Sequence, residues 1–199
     1  MLHTLILIGR SGCGKGTQAT LLKDRINRLD EKGRQILYVE TGDHFRKFIR
    51  GESYSSKLSN KIYISGEREP DFLGTWMWSD LLIEELGEDM HLLFDGAPRA
   101  RPEAEILTTA LKFYKREKPT VIHIKVSRRW SEEKLLTRGR SDDVTPVNIE
   151  KRLDWFDSDV VPAINYLKND SYYRFVEIDG EQSIEKVHAD IVANYDHQA

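Results

Sequence analysis

The segment 9–18 has the residue types and spacing of a phosphate-binding loop. Glycines at positions 9, 12, 14 and 16 surround Lys15 and lead to Thr17, after an apolar run at residues 5–8. Glycine-rich backbone can direct consecutive N–H groups at an anion, and a helix that begins at Lys15 adds the positive end of its dipole. The Lys15 ammonium supplies a point charge for the outer phosphates. Because strand, spacing, lysine and helix agree, we predict a phosphate-binding loop (P-loop) rather than a simple connecting turn.

A carboxylate and a hydroxyl could hold a metal ion beside this loop. The generic motif places a hydroxyl directly after the lysine, but Gly16 stands there and the hydroxyl comes from Thr17. Asp95 ends the apolar run 92–94 and precedes Gly96. An Asp-Gly pair is also common in turns, but a carboxylate at the end of a buried strand can bind Mg²⁺, directly or through water, beside a triphosphate. With the P-loop in the same chain, we predict that Asp95 and Thr17 hold Mg²⁺.

Five arginines lie where phosphates would have to be bound. Arg46 and Arg99 each come just after a predicted strand, and Arg138, Arg140 and Arg152 bracket one loop. A single arginine is most often a solvated surface charge, but the planar guanidinium can bind phosphate oxygens through two parallel hydrogen bonds. The positions of Arg46 and Arg99 therefore favour phosphoryl-group binding.

Alternating strands and helices must position these residues. Apolar runs predict strands at 5–8, 36–39, 92–94, 120–126 and 173–178. Helical patterns begin at Lys15 and at Thr41, and we expect Thr41 to cap its helix. Further helical patterns occupy 53–64, 71–86, 103–114, 130–138, 146–167 and 184–195, and we expect Pro162 to bend the helix 146–167. This order predicts an α/β fold, a five-stranded parallel sheet with helices on both faces. Ligands of such folds bind beyond the carboxyl ends of the strands, where the three sets of residues above fall.

Composition excludes several other classes of protein. A chain of 199 residues suits one domain, residues 1–199, and its net charge of −3 gives no general attraction to nucleic acid or to an anionic membrane. The single cysteine excludes an internal disulfide and a cysteine-built metal site, and the six histidines show no ligand spacing, so we expect no structural zinc. The N-terminal apolar run is too short for a signal sequence. We expect a cytoplasmic protein without nucleic-acid or membrane partners.

Taken together, the motifs resemble those of the adenylate kinase family of nucleoside monophosphate kinases. They occur in the family's order and cover essentially the whole chain. The matching motifs are the segment 9–18, Thr41-Gly42-Asp43-x-x-Arg46, Asp95-Gly96-x-Pro98-Arg99, Arg140-x-Asp142-Asp143 and Arg152-Leu153.

This resemblance implies a Mg²⁺-dependent transfer of the γ-phosphoryl group of ATP to AMP, giving two ADP, on a fold of the P-loop nucleoside monophosphate kinase type. It implies an AMP-binding flap at about 40–69 and a very short lid loop at about 138–145. The implied catalytic residues are Lys15, Arg46, Arg99, Arg138, Arg140 and Arg152. ATP would be bound by Gly12, Cys13, Gly14, Lys15, Gly16, Thr17, Lys134, Arg138 and the backbone near Gln182. AMP would be bound by Thr41, Arg46, Tyr63, Glu67, Arg68, Glu69, Gly96, Arg99, Glu103, Arg140 and Arg152.

The chain departs from the family at the acceptor base. Glu103 stands where the family usually has a glutamine that reads adenine. A carboxylate offers only acceptors, which suit the N1–H and N2–H₂ of guanine better than the N1 and N6–H₂ of adenine. The hypothesis is a reduced preference for AMP or tolerance of GMP. The alternative, which we favour, is that Glu103 accepts one hydrogen bond from N6 and AMP remains the substrate.

Other departures concern the lid and the donor base. Only Gly139 separates Arg138 from Arg140, so less material is available to exclude water. We therefore expect ATP hydrolysis without acceptor, or help from another subunit; otherwise the default is a monomer. Lys134 stands where the family commonly stacks an arginine on the donor adenine, which should loosen donor selectivity. Arg152 is one residue further from Asp143 than is usual.

Two alternatives to this function remain open. The chain could phosphorylate another nucleoside monophosphate, GMP or CMP/UMP. It could also be a non-catalytic nucleotide-binding regulatory protein, although such a protein would have little need of Lys15, Asp95 and all five arginines together. Cys13, inside the P-loop, is predicted to be a small packing residue rather than a redox switch.

Overall fold

Five short strands form one parallel sheet. In the computed structural model, which describes residues 2–138 and 146–196, the strand order is β2-β3-β1-β4-β5, and all four neighbouring pairs are parallel. The strands are β1 (Thr4–Ile8), β2 (Ile36–Glu40), β3 (His91–Asp95), β4 (Thr120–Lys125) and β5 (Arg174–Asp179). This architecture confirms the predicted fold class, and all five predicted strands are present.

Helices cover both faces of the sheet because both faces of its central strands are apolar. Leu5 and Leu7 of β1 pack in one cluster with residues of the first and last helices, whereas Ile6 and Ile8 pack in the other with residues of the helices Asp71–Glu85, Arg101–Phe113 and Val161–Asn169. The helices are α1 (Lys15–Leu29), α2 (Thr41–Phe48), α3 (Tyr54–Ser65), α4 (Asp71–Glu85), α5 (Arg101–Phe113), α6 (Arg128–Arg138), α7 (Pro146–Trp155), α8 (Val161–Asn169) and α9 (Ile184–Asp196). None of the helices within the described ranges is long and apolar enough to cross a membrane.

The predicted helix cap at Thr41 was wrong, and the long helix from Pro146 is present but irregular. Glu40, not Thr41, occupies the position that caps α2, and the Thr41 hydroxyl donates instead to the carbonyl of Gly96 at 3.1 Å. The single helix predicted from Pro146 onward is divided by a π-helical turn, Phe156–Val160, before α8 begins. Pro162 lies in the first turn of α8, where its missing N–H costs little, so the irregularity precedes the proline.

Strand register brings the predicted site residues to one edge. Glu40 at the end of β2 is level with Asp95 at the end of β3, and Leu7 of β1 is level with the same Asp95. The chain then leaves β1 through the P-loop, β2 through Thr41 and β3 through Gly96. Three loops therefore meet at the carboxyl edge of the sheet.

Candidate active site

A cavity of about 800 Å³ opens at this edge of the sheet. Its walls are the P-loop and α1, the segment from the end of β2 to the start of α4, the loop after β3, and α6 and α7 with the π-helical turn. The volume lies within the usual range for small-molecule sites, at the position where open parallel sheets bind ligands.

The P-loop adopts a backbone conformation that depends on glycine. Gly12 and Gly14 have φ values of 85° and 93°, in the left-handed region that side chains disfavour. A Cβ on Gly12 would lie 3.2 Å from the Cβ of Lys134, so the loop passes directly under α6. Lys15 Nζ donates to the carbonyls of Gly9 (2.7 Å) and Arg10 (3.0 Å). The ammonium is thus held at the mouth of the loop, facing the cavity.

Asp95 lies beside the first turn of α1. Its carboxylate is nearly buried, accepts a 3.0 Å hydrogen bond from the Tyr38 hydroxyl, and lies 3.5 Å from where a Cβ on Gly16 would be. Thr17, in the same turn of α1, is exposed toward the cavity. Oxygen donors of this kind match the preference of Mg²⁺, which usually takes one or two protein groups together with substrate phosphates. Over the described residues, no group of three or more His, Cys, Asp or Glu side chains could hold a metal on its own.

Arg99 and Arg46 converge on Gly42 and Gly96. Arg99 Nε donates to the Gly96 carbonyl at 2.7 Å, and a Cβ on Gly42 would lie 3.3 Å from Arg46 Nη1 and 3.8 Å from Arg99 Nη2. Arg46 is also near the carboxylates of Glu40 (3.5 Å) and Asp43 (3.7 Å). Two guanidinium groups held this close form a site for a doubly charged anion.

Arg152 adds a third guanidinium group, which lies between the P-loop and Arg99. Its Nη2 donates to Ser11 Oγ of the P-loop at 3.2 Å. Burial lowers the pKa of the Arg99 guanidinium, the Glu103 carboxylate raises it, and the positive charge of Arg152 lowers it again. Arg152 is therefore close enough to repel Arg99, and an anion between them would relieve this repulsion.

Glu103 is buried in the wall of the cavity next to Arg99. Trp78 Nε1 donates to its Oε1 at 3.0 Å, and the backbone N–H of Arg99 donates to its Oε2 at 2.5 Å. Burial raises the pKa of this carboxyl group, while the hydrogen bond from the Arg99 backbone and the charge of the Arg99 guanidinium lower it. Both oxygens of Glu103 are therefore already hydrogen-bonded by the protein.

The segment 40–69 contacts α7 and the π-helical turn across the cavity. Lys151 Nζ donates to the carbonyl of Ser65 at 2.8 Å, and Arg68 lies 3.7 Å from Asp159 while also pairing with Asp71. These contacts join the segment 40–69 to the wall of the cavity formed by α7 and the π-helical turn.

Comparison with known proteins agrees with this arrangement. The family model described as adenylate kinase matches residues 7–172. The adenylate kinase of Corynebacterium urealyticum is 33% identical over 183 residues, which are 92% of this chain and 93% of the relative. The adenylate kinases of Corynebacterium diphtheriae (33% over 186 residues, 93% and 94%) and Flavobacterium psychrophilum (29% over 190 residues, 92% and 93%) are also similar.

The chain belongs to the adenylate kinase family. It is therefore an enzyme of the nucleoside monophosphate kinase class, as the motifs predicted.

Most of the predicted site residues of this kinase line the one cavity. The residues that do so are Gly12, Gly14, Lys15, Gly16, Thr17, Thr41, Arg46, Tyr63, Glu67, Arg68, Glu69, Asp95, Gly96, Arg99, Glu103, Lys134 and Arg152. Arg152 is among them despite its unusual spacing. Arg140 and the lid residues 139–145 lie outside the described residues, as does the side chain of Arg138.

Two described residues from the prediction do not line the cavity. Cys13 is buried under the P-loop, with Sγ 3.7 Å from Lys15 Nζ and close to Gly9, which agrees with a packing role for its side chain. Gln182 follows β5, and its side chain donates to the Asp179 carbonyl and to Asp190.

Lys134 lines the cavity, and its Nζ lies 4.8 Å from the centre of the Trp130 ring.

Sequence reasoning missed several residues that shape the kinase site. The hydroxyl of Tyr38 donates to Asp95, and an aromatic hydroxyl two residues before the end of an edge strand is a signal that could have indicated this role. Trp155 and Phe156, at the junction of α7 and the π-helical turn, also line the cavity. Arg10 lies 4.4 Å from the Phe156 ring centre and pairs with Asp157, which ties the P-loop to this turn. No sequence pattern indicated that contact.

Proposed function

We propose that this cavity transfers the γ-phosphoryl group of ATP to AMP, giving two ADP. The observation that carries the proposal is the convergence of Lys15, Arg46, Arg99 and Arg152 with Asp95 on one cavity at the carboxyl edge of the sheet. Phosphoryl transfer requires little covalent chemistry from the protein; it requires alignment and positive charge, which this set supplies.

The donor triphosphate binds at the P-loop. Backbone N–H groups from Gly12 to Thr17 and the Lys15 ammonium hold its phosphates, and Lys15 exchanges its bonds to the loop carbonyls for phosphate oxygens. Lys134 and the backbone near Gln182 face the donor base. Since lysine lacks the planar face of arginine, we expect GTP to support the reaction nearly as well as ATP.

The acceptor phosphate binds between Arg46 and Arg99. Thr41 and Gly96 form the floor of this position, and Glu103 with Tyr63 and residues 67–69 surrounds the base. A phosphate oxygen of AMP is already an anionic nucleophile, so no strong general base is required. Arg152, with Arg138 and Arg140 from the lid, neutralises the negative charge of the transferred group.

Mg²⁺ would be held by Asp95 and Thr17, directly or through water. The oxygen donors at this position fit the ion, as described above. When bound, Mg²⁺ neutralises charge on the donor phosphates. The contribution of the chain is to fix the Asp95 carboxylate next to the P-loop through the hydroxyl of Tyr38.

Residues 40–69 act as the AMP-binding flap and residues 138–145 as a very short lid. The contacts of Ser65 and Arg68 with α7 and the π-helical turn support a flap that closes against this side of the cavity. We propose a monomer acting in the cytoplasm. With so short a lid, a slow ATP hydrolysis without acceptor is expected; negligible hydrolysis by a demonstrated monomer would contradict this expectation.

A coupled assay of the purified protein tests the proposal. With Mg²⁺ and ATP, each of AMP, GMP, CMP and UMP is offered as acceptor and the products are identified. We expect the highest kcat/KM for AMP, with two ADP formed for each ATP consumed, and no transfer by the Lys15→Met variant. A higher kcat/KM for another monophosphate, or no acceptor-dependent consumption of ATP, would refute the assignment.

A further inference from the structure

The two hydrogen bonds that Glu103 accepts limit how its carboxyl group can bind a base. Trp78 Nε1 and the Arg99 backbone N–H both donate, one to each carboxyl oxygen, and the group lines the acceptor end of the cavity. A glutamine could not accept both bonds without turning its NH₂ group toward an N–H donor. The protein around Glu103 therefore demands two acceptor oxygens.

Adenine requires one hydrogen-bond donor and one acceptor from the same carboxyl group. The edge of adenine that carries N1 and N6–H₂ presents one acceptor and one donor. An ionised carboxylate facing N1 would bring two lone pairs together, whereas a neutral carboxyl has one O–H donor and keeps acceptor capacity on both oxygens. Only the neutral carboxyl can accept from Trp78 and from Arg99 and also donate to N1.

From these contacts we propose that AMP binds with the uptake of one proton from solvent by Glu103. The neutral carboxyl then donates its O–H to adenine N1 and accepts an N–H from N6. The inference rests on the proposed function, since it needs AMP in this cavity. It adds that Glu103 determines acceptor specificity through its protonation state.

The charges facing Glu103 agree with proton uptake on binding. The Arg99 guanidinium and, more weakly, Arg68 favour the ionised form in the free enzyme, while Trp78 and Gly74 present no charge from α4. Burial opposes the ionised form and already raises the pKa of the carboxyl. When the AMP phosphate binds Arg99, it neutralises the main cation that favours the ionised form of Glu103. The base then removes the remaining water, so both effects of AMP favour the neutral form.

Calorimetric titration of the full chain with AMP at pH 8, in two buffers of different ionisation enthalpy, measures the protons exchanged. We expect uptake of about one proton per AMP, and an AMP Kd that rises roughly tenfold per pH unit between the pKa values of the free and the AMP-bound carboxyl. The AMP phosphate cannot imitate this result: it has a pKa near 6, and binding to guanidinium groups would release protons rather than take them up.

Variants assign the proton to Glu103. Glu105→Gln, the same change on an exposed position of the same helix, should keep the uptake. Glu103→Gln should abolish it and leave a Kd that varies less than twofold over the same pH range. If Glu103→Gln is poorly folded because a donor is left unpaired, Trp78→Phe combined with Glu103→Gln removes that donor.

The possible outcomes separate this inference from the proposed function. AMP that is bound and phosphorylated without proton uptake at pH 8 would overturn the inference alone, and would mean that the carboxylate reads only N6. Uptake that persists in Glu103→Gln would also overturn it. Absence of both AMP binding and AMP turnover would instead overturn the proposed function.

Discussion

Gly96→Ala should weaken AMP binding much more than ATP binding. Gly96 has a φ of 90°, and a Cβ there would lie 3.0 Å from Thr41 Oγ1 and 3.3 Å from Arg99 Nη2. Both side chains hydrogen-bond the Gly96 carbonyl and lie in the acceptor half of the cavity. The added methyl group therefore displaces the groups proposed to bind the AMP phosphate while leaving the P-loop untouched.

The magnitude has two parts. Left-handed backbone at an alanine costs about 1–2 kcal/mol of stability, which the reduced entropy of the unfolded chain offsets by about 0.4–1 kcal/mol. A displaced guanidinium that loses a charge-assisted hydrogen bond to phosphate costs about 1.5–3 kcal/mol, or roughly a 10- to 150-fold rise in the KM for AMP. We expect the KM for ATP to change less than about threefold, which corresponds to a change in binding free energy of under about 1 kcal/mol.

Gly33→Ala is the matched control. Gly33 also has a positive φ, 63°, but a Cβ there would meet nothing within 4 Å. The control therefore carries backbone strain without the contacts to Thr41 and Arg99. Urea unfolding should show both variants destabilised, and steady-state kinetics should show a raised KM for AMP only in Gly96→Ala. An unchanged KM for AMP in Gly96→Ala, or equal rises for AMP and ATP, would refute the assignment of this half of the cavity.

Three further predictions concern charge and protonation. Arg152→Ala should lower kcat by about 10³ or more, because a cation at the transferred group is lost, whereas Arg129→Ala on the exposed face of α6 should not; a coupled assay measures both. Tyr38→Phe should raise the Mg²⁺ concentration for half-maximal activity by about tenfold or more, because Asp95 loses a hydrogen bond worth about 1.5–3 kcal/mol. Unfolding free energy should fall as pH decreases from 6.5 toward 4, because burial lowers the pKa of His3 to about 4 and the unfolded chain binds that proton first. His3 is only partly buried, so solvent screening reduces its contribution. His3→Gln should lower the slope of the profile measured by urea titration without removing it, because burial also lowers the pKa values of His91, His123 and His188.

Each of these predictions has a result that contradicts it. A kcat within tenfold of the unmodified enzyme for Arg152→Ala would place that arginine outside the reaction. An unchanged Mg²⁺ requirement in Tyr38→Phe would mean that Asp95 is held without the phenol. A free energy of unfolding that stays constant between pH 6.5 and 4 would show that His3 titrates alike in both states.

The sheet and most of the site could be predicted because local patterns specify them. Apolar runs gave the five strands, and glycine spacing located the P-loop. Positions after strand ends placed Arg46 and Arg99 at one edge. These features depend on short stretches of sequence and on the general geometry of parallel sheets.

Contacts between distant segments could not be predicted. Trp78 and Glu103 are brought together by the packing of α4 on α5, and Arg10 meets Asp157 only because the π-helical turn forms. Thr41 has the residue type of a helix cap, but its hydroxyl donates instead to the carbonyl of Gly96, directly after the neighbouring strand. In each example a tertiary partner decides between local alternatives.

The proposed transfer requires two nucleotides bound end to end across Arg46, Arg99 and Arg152. A crystal structure with AMP and a non-hydrolysable ATP analogue tests it directly. We predict that the AMP phosphate oxygens lie about 2.7–2.9 Å from guanidinium nitrogens of Arg46 and Arg99, with the triphosphate in the P-loop. A complex in which these arginines point away from both nucleotides would contradict the account.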